Sequence, residues 1–128
     1  MEYPVAFANW FKKQGGKHYS VVSAVSANID SSNYYNRFKG ELEERLESLQ
    51  LPYLSIMQPS LLLGARNERR LGEGVGKLLS PLLNVVMVGS LKKYRTIVAD
   101  KVARQMFKAV VDQRDRVRRY VWIDFSNF

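Results

Sequence analysis

The stretch His18-Tyr19-Ser20-Val21-Val22-Ser23 decides the fold, because of what stands on either side of it. It is short and β-branched at its centre, which reads as a strand. Before it, residues 4–14 carry Val5, Ala8 and Phe11 with Ala6, Phe7 and Trp10 as a broad apolar face. Pro4 suits the first turn of a helix there, and Gly15-Gly16 supplies its stop. After the strand, residues 24–31 are small and polar and read as a loop. Residues 32–50 then form the longest helical pattern, with Ser31 or Ser32 as N-cap. At about 100° per residue, Tyr35, Phe38, Leu42, Leu46 and Leu49 fall in one stripe roughly 80° wide. Pro52 stands just past its end.

Outward from this unit the alternation continues. Tyr53-Leu54-Ser55-Ile56-Met57 is a second strand, closed by Pro59. Residues 63–72 are rich in Arg, Glu and Gly and read as a loop, and helical character returns over 73–83, ending near Pro81. Residues 85–88 suit a short strand. Asp100 is placed to cap a helix through about Val111, with Val102, Ala103, Met106, Phe107 and Val110 inward. Tyr120-Val121-Trp122-Ile123 is the last strand expected. Helix and strand in turn is the pattern of a parallel sheet covered by helices, so the fold class is α/β.

Composition limits the chemistry. The 128 residues suit one domain. Cysteine is absent, which removes disulfides, thiolate metal sites and cysteine nucleophiles together. His18 is the single histidine, so neither a His-based metal cluster nor a Ser-His-Asp triad is the expectation. Residues 1–4 carry no basic leader, and no run approaches the roughly 20 apolar residues that span a bilayer. A cytoplasmic protein is the default expectation. The net charge is +8, but the basic residues are scattered and broken by acids. The densest run, residues 114–119, is interrupted by Asp115, so a basic-surface binder of nucleic acid or anionic lipid is the least favoured reading.

A nucleotide-binding α/β domain normally opens with a strand, a glycine-rich turn and a helix whose amino terminus holds the pyrophosphate. This sequence opens with a helix. Gly72-Glu73-Gly74-Val75-Gly76-Lys77 departs from the dinucleotide pattern, because Lys77 takes the third glycine position. It departs from the P-loop pattern at Leu71 and Leu78, and reads as a glycine-spaced helix start.

Tyr35 and Lys39 are the informative pair. They lie four apart on the long helix, about 40° from one another around its axis. An ammonium held near a phenol favours the phenolate and lowers the tyrosine pKa from about 10. Such a tyrosine exchanges a proton with a substrate oxygen in carbonyl reduction or alcohol oxidation. Ser23 ends the strand before the helix, at the carboxyl edge where open α/β sheets bind ligands, and its hydroxyl suits a developing oxyanion. The plainer alternative stays open at this point. Tyr35 would then be core, Ser23 a small residue at a tight exit, and Lys39 an i,i+4 partner of Glu43 contributing about 0.3 kcal/mol.

Ser23 followed by Tyr35-Asn36-Arg37-Phe38-Lys39-Gly40-Glu41-Leu42-Glu43 resembles the Ser and Tyr-x-x-x-Lys region of atypical short-chain dehydrogenases/reductases. The nearer resemblance is to their small NAD(P)-binding, HTATIP2-like (TIP30-like) group. Val22-Ser23-Ala24 to Asn28 is similar to that group's strand exit, and Arg70-Leu71-Gly72-Glu73 to the start of a following helix. Gln58-Pro59-Ser60-Leu61-Leu62-Leu63-Gly64 resembles the group's Arg-Pro-x-x-Leu-Leu-Gly segment, with Gln58 in place of the usual arginine. The resemblance runs in order over about residues 1–110.

It implies that residues 1–128 are a single incomplete domain. They would be the C-terminal half of a Rossmann-like parallel sheet flanked by helices, with the N-terminal Gly-x-Gly-x-x-Gly half absent. It implies NAD or NADP as cofactor and a small carbonyl or alcohol as substrate. Tyr35 would be the general acid/base, Lys39 would tune it and hold the nicotinamide ribose, and Ser23 would orient substrate. Pro59, Ser60 and Leu61 would lie beside the nicotinamide. A half-sheet implies an unpaired edge, and with it association with a second copy or a partner chain. A non-catalytic interaction or regulatory module on the same fold is the alternative.

Overall fold

The computed structural model describes residues 2–60, 62–63, 97–121 and 124–125. Helix α1 (Glu2–Lys13) buries Ala8 completely, with Val5 and Phe11 packed beside it. Its inward face is narrower than the apolar pattern implies, because Phe7 and Trp10 are exposed. The helix ends at Gly15, whose φ of +82° favours glycine.

Strand β1 (His18–Val22) pairs in parallel with β2 (Tyr53–Met57), from His18↔Tyr53 to Val22↔Met57. Strand β5 (Val117–Tyr120) pairs in parallel with the other edge of β2, from Leu54↔Val117 to Met57↔Tyr120. The sheet order is β1-β2-β5. Two short strands, β3 (Leu62–Leu63) and β4 (Ile97–Val98), form a second parallel pair. Leu63 is thus strand where a loop start is expected.

The last strand lies upstream of the expected position and shares only Tyr120 with it. An arginine-bearing strand is stable here because its charges find partners. Arg119 reaches two glutamates of the long helix, and Arg118 stacks over the Tyr120 ring at 5.0 Å. The chain then turns, with Val121 N donating to Asp124 Oδ2. Trp122 and Ile123, the glycine-spaced residues 72–77, and the helix and strand expected over 73–88 lie outside the described residues.

Helix α2 (Tyr34–Ser48) is capped by Asn33, not by the serines before it. Asn33 has extended backbone, and its Oδ1 accepts from Tyr35 N at 2.9 Å and Asn36 N at 3.3 Å. Ser31 supports the cap from outside by accepting from Asn33 N. Leu42 and Leu46 of its stripe are buried, Phe38 and Leu49 are half-buried, and Tyr35 projects past the sheet at 56% exposure.

The sheet separates two apolar layers, and β2 supplies both by alternation. Leu54 and Ile56 face Ala8, Leu42, Leu46 and Leu51 under α1 and α2. Met57 faces Ile97, Val102, Ala109, Tyr120 and Phe125 on the opposite side. Helix α3 (Ala99–Asp112) covers that second face with Val102, Gln105 and Ala109. Of the residues expected inward, Val102 is buried and Met106 half-buried, while Ala103, Phe107 and Val110 are exposed. The strand β4 runs straight into α3, so the buried Ile97 sets which helix face meets the sheet. Asp100 does not cap the helix; it pairs with Arg104 one turn on, and the N-cap is Val98.

Candidate functional site

The carboxyl ends of β1 and β2 are tied by backbone bonds. Ser23 N donates to Met57 O at 2.7 Å and Val25 N to Pro59 O at 3.2 Å. The loop after Ser23 lies on α2, with Asn28 N donating to Asn36 O. Only glycine admits this approach: a Cβ on Gly40 would stand 2.4 Å from Ile29 N. Sequence proximity and one missing side chain therefore bring the first turns of α2 over the end of β1.

The result is a pocket of about 460 Å³ lined by Ser23, Tyr35, Lys39, Pro59 and Ser60, among others. It lies at the carboxyl edge of parallel strands, where open α/β sheets bind ligands. Of the residues singled out in the sequence, these share one cavity, and Leu61 lies outside the described residues.

Ser23 is 3% exposed, and its Oγ has no hydrogen-bond partner among the described residues. A buried hydroxyl left without a partner costs about 1–3 kcal/mol, which a ligand oxygen in the pocket would recover. Lys39 is half-buried, and its Nζ donates to Val22 O at 3.2 Å. That Nζ lies 5.8 Å from the centre of the Tyr35 ring. Burial holds the Lys39 ammonium below the usual lysine pKa, against the opposing pull of the Glu43 carboxylate one turn on. Tyr35 is open to solvent on the pocket rim, with its backbone fixed by the Asn33 cap. Pro59 is buried and Ser60 half-buried.

Glu43, Gln58 and Arg119, which line a neighbouring cavity with Asn28 and Gly40, escaped the sequence reading as a unit. Glu43 is 4% exposed and accepts from Gln58 Nε2 at 2.9 and 3.1 Å, one bond to each carboxylate oxygen. Arg119 Nε donates to Glu43 Oε2 at 3.0 Å, and Arg119 Nη2 bonds Glu47. The carboxylate that the plainer reading assigned to Lys39 is therefore engaged elsewhere. Gln58, an amide, satisfies Glu43 without charge, and β5 supplies the cation. The spacing of Tyr35, Lys39, Glu43 and Glu47 by fours marked one helix face; nothing in the sequence marked Arg119 as its partner.

A parallel sheet with helices on both faces, and a Ser, Tyr and Lys pocket at its carboxyl edge, define an α/β protein compatible with Rossmann-like architecture. No family model matches the chain. It is similar to Protein FMP52, mitochondrial, of Lodderomyces elongisporus, 34% identical over 108 residues covering 76% of this chain and 45% of that protein. It is similar to Protein fmp52-1, mitochondrial, of Aspergillus terreus, 32% identical over 82% of this chain and 45% of that protein. Protein HTATIP2 of Rattus norvegicus is 36% identical over 59% of this chain and 31% of that protein. The chain spans less than half the length of these relatives. A relative named HTATIP2 accords with the group that the motifs resemble.

Proposed function

We propose that this chain carries the nicotinamide and substrate end of an NAD(P)-dependent oxidoreductase of the short-chain dehydrogenase kind, acting on a small carbonyl or alcohol. The convergence of Ser23, Tyr35 and Lys39 with Pro59 and Ser60 on one pocket carries this reading. The residues suit the nicotinamide-ribose end of a dinucleotide. Lys39 spends one N–H on Val22 O and has others for ribose hydroxyls. Pro59 and Ser60 supply wall and backbone beside the ring. Bound NAD(P) supplies or accepts the hydride. Ser23 Oγ holds the substrate oxygen, and the Tyr35 hydroxyl gives that oxygen a proton in reduction and takes it back in oxidation.

The phosphate-binding part is supplied, on this reading, by polypeptide outside these 128 residues. The chain's 45% coverage of the FMP52 relatives supports that, as does a β1 edge without a partner among the described residues. The mitochondrial names of those relatives favour a mitochondrial location over the cytoplasmic default. Among the described residues, no helix is long and apolar enough to cross a membrane.

A non-catalytic interaction module is the second reading. The outer edge of β1, with Phe107 and Val111 exposed on α3, favours it. Tyr35 separates the two. In a form extended to the full length of the relatives, Tyr35→Phe should lower carbonyl reduction by about 10²–10⁴-fold while NADPH binding and fold persist. Unchanged turnover in that variant would refute the catalytic reading. The 128-residue chain titrated with NADPH should bind weakly, and micromolar affinity would refute the split of the cofactor site.

A further inference from the structure

We infer that Arg119 is a positioning residue of the pocket: by occupying Glu43 from the neighbouring strand, it leaves Lys39 free to address the cavity. Four observations carry this. Glu43 is buried, and a buried carboxylate needs a charged partner as well as hydrogen bonds. Gln58 gives it bonds but no charge. Arg119 gives it both, and is held in place by a second contact to Glu47. Lys39 stands one turn before Glu43 on the same helix, at the spacing where an ammonium and a carboxylate meet. Instead, its Nζ is on Val22 O beside the Tyr35 ring.

Two cations thus compete for one buried carboxylate, and the sheet order decides between them. Strand β5 lies beside β2, so Arg119 reaches Glu43 across the end of β2, near Gln58. Without it, Lys39 is the next cation in reach. Its ammonium would turn along the helix toward Glu43 and away from Val22 O and Tyr35. The groups facing Lys39 are Tyr35 and Glu43 on its own helix, the Val22 carbonyl and Ser23 at the end of β1, and Ser60 across the pocket. Of these, Glu43 is the carboxylate. The arrangement also gives Gln58 a role: with the usual arginine of the resembled motif replaced by an amide, the compensating charge comes from β5.

The functional meaning rests on the oxidoreductase reading, whereas the test does not. The Lys39 ammonium is titrated by NMR in the whole chain with isotope-labelled lysine, its signal assigned by loss in Lys39→Arg. Arg119→Gln should raise the Lys39 pKa by about one unit, so that its neutral fraction falls about tenfold at any pH well below the parent pKa. Glu43→Gln should lower it below the parent value. In the Glu43→Gln background, Arg119→Gln should no longer raise it, because the competition has been removed. An equal rise in both backgrounds, or no rise in a folded Arg119→Gln, overturns the inference. Should Arg119→Gln not fold, Glu43→Gln still decides: a Lys39 pKa that fails to drop overturns it. NADPH binding plays no part in these readouts, so failure of the oxidoreductase reading would leave them intact.

Discussion

Gly40→Ala tests how the loop after β1 is held over the pocket. In an open helix interior this change stabilises, since alanine is favoured over glycine by about 1 kcal/mol. Here the added Cβ would lie 2.4 Å from Ile29 N, 2.5 Å from Asn28 C and 2.9 Å from Asn28 Cα. All three are backbone atoms, so no side-chain rotation relieves the clash. Ordinary contact begins near 3.4 Å, and the loop must retreat from α2 to reach it. Overpacking of this kind costs about 1–3 kcal/mol. Loss of the Asn28 N to Asn36 O bond adds about 1 kcal/mol. Set against the helical gain, the variant should be about 1–3 kcal/mol less stable, a fall in Tm of roughly 4 °C per kcal/mol at this size. Urea unfolding followed by circular dichroism measures the difference, with the denaturant slope unchanged. Amide shifts in a heteronuclear spectrum should concentrate in residues 23–31. A gain in stability of about 1 kcal/mol would show that the loop does not rest on Gly40, and the account of the pocket wall would fall with it.

Leu46 and Phe107 make a contrasting pair. Leu46 is 0% exposed under the sheet, and Leu46→Ala should cost about 2–5 kcal/mol by urea unfolding. Phe107 is 74% exposed, so Phe107→Ala should stay within about 0.5 kcal/mol. A large loss at Phe107 would mean that α3 is turned the other way. Acid should also weaken the fold through His18. Burial pushes its imidazole below the usual histidine pKa. Nε2 is engaged with Ser55 Oγ at 2.9 Å, and Nδ1 is buried without a partner among the described residues. The unfolded chain therefore takes up the proton more readily than the folded one. The His18 contribution is present in full above the ordinary value near 6.5 and is lost as pH falls below it through the depressed folded value. The urea midpoint should drop between about pH 7.5 and 5.5, and His18→Gln should flatten that part of the profile. A wild-type midpoint that does not move would refute it.

How far the site was legible depended on whether its geometry is local. Tyr35 and Lys39 share a face because the helix repeats, and Ser23 sits at a strand exit because the β-branched run ends there. That these meet in one pocket follows from the way residues 23–33 fold back onto α2 at Gly40. The N-cap is Asn33, one residue past Ser32, because several small polar residues in series all suit the role and backbone conformation selects among them.

The sequence by itself determined the order helix, strand, helix, strand over α1, β1, α2 and β2, the parallel pairing that this order implies, and the Ser23, Tyr35 and Lys39 constellation, since each is a matter of spacing within a few turns or strands. Only the tertiary structure decided which face α3 buries, that an arginine-rich segment is the third strand, and that Arg119 meets Glu43 across 76 residues of chain. The reason is physical. Periodicity specifies a pattern about an element's own axis, whereas rotation about that axis, strand order and the partner of a buried charge are set by whatever the rest of the chain packs beside it.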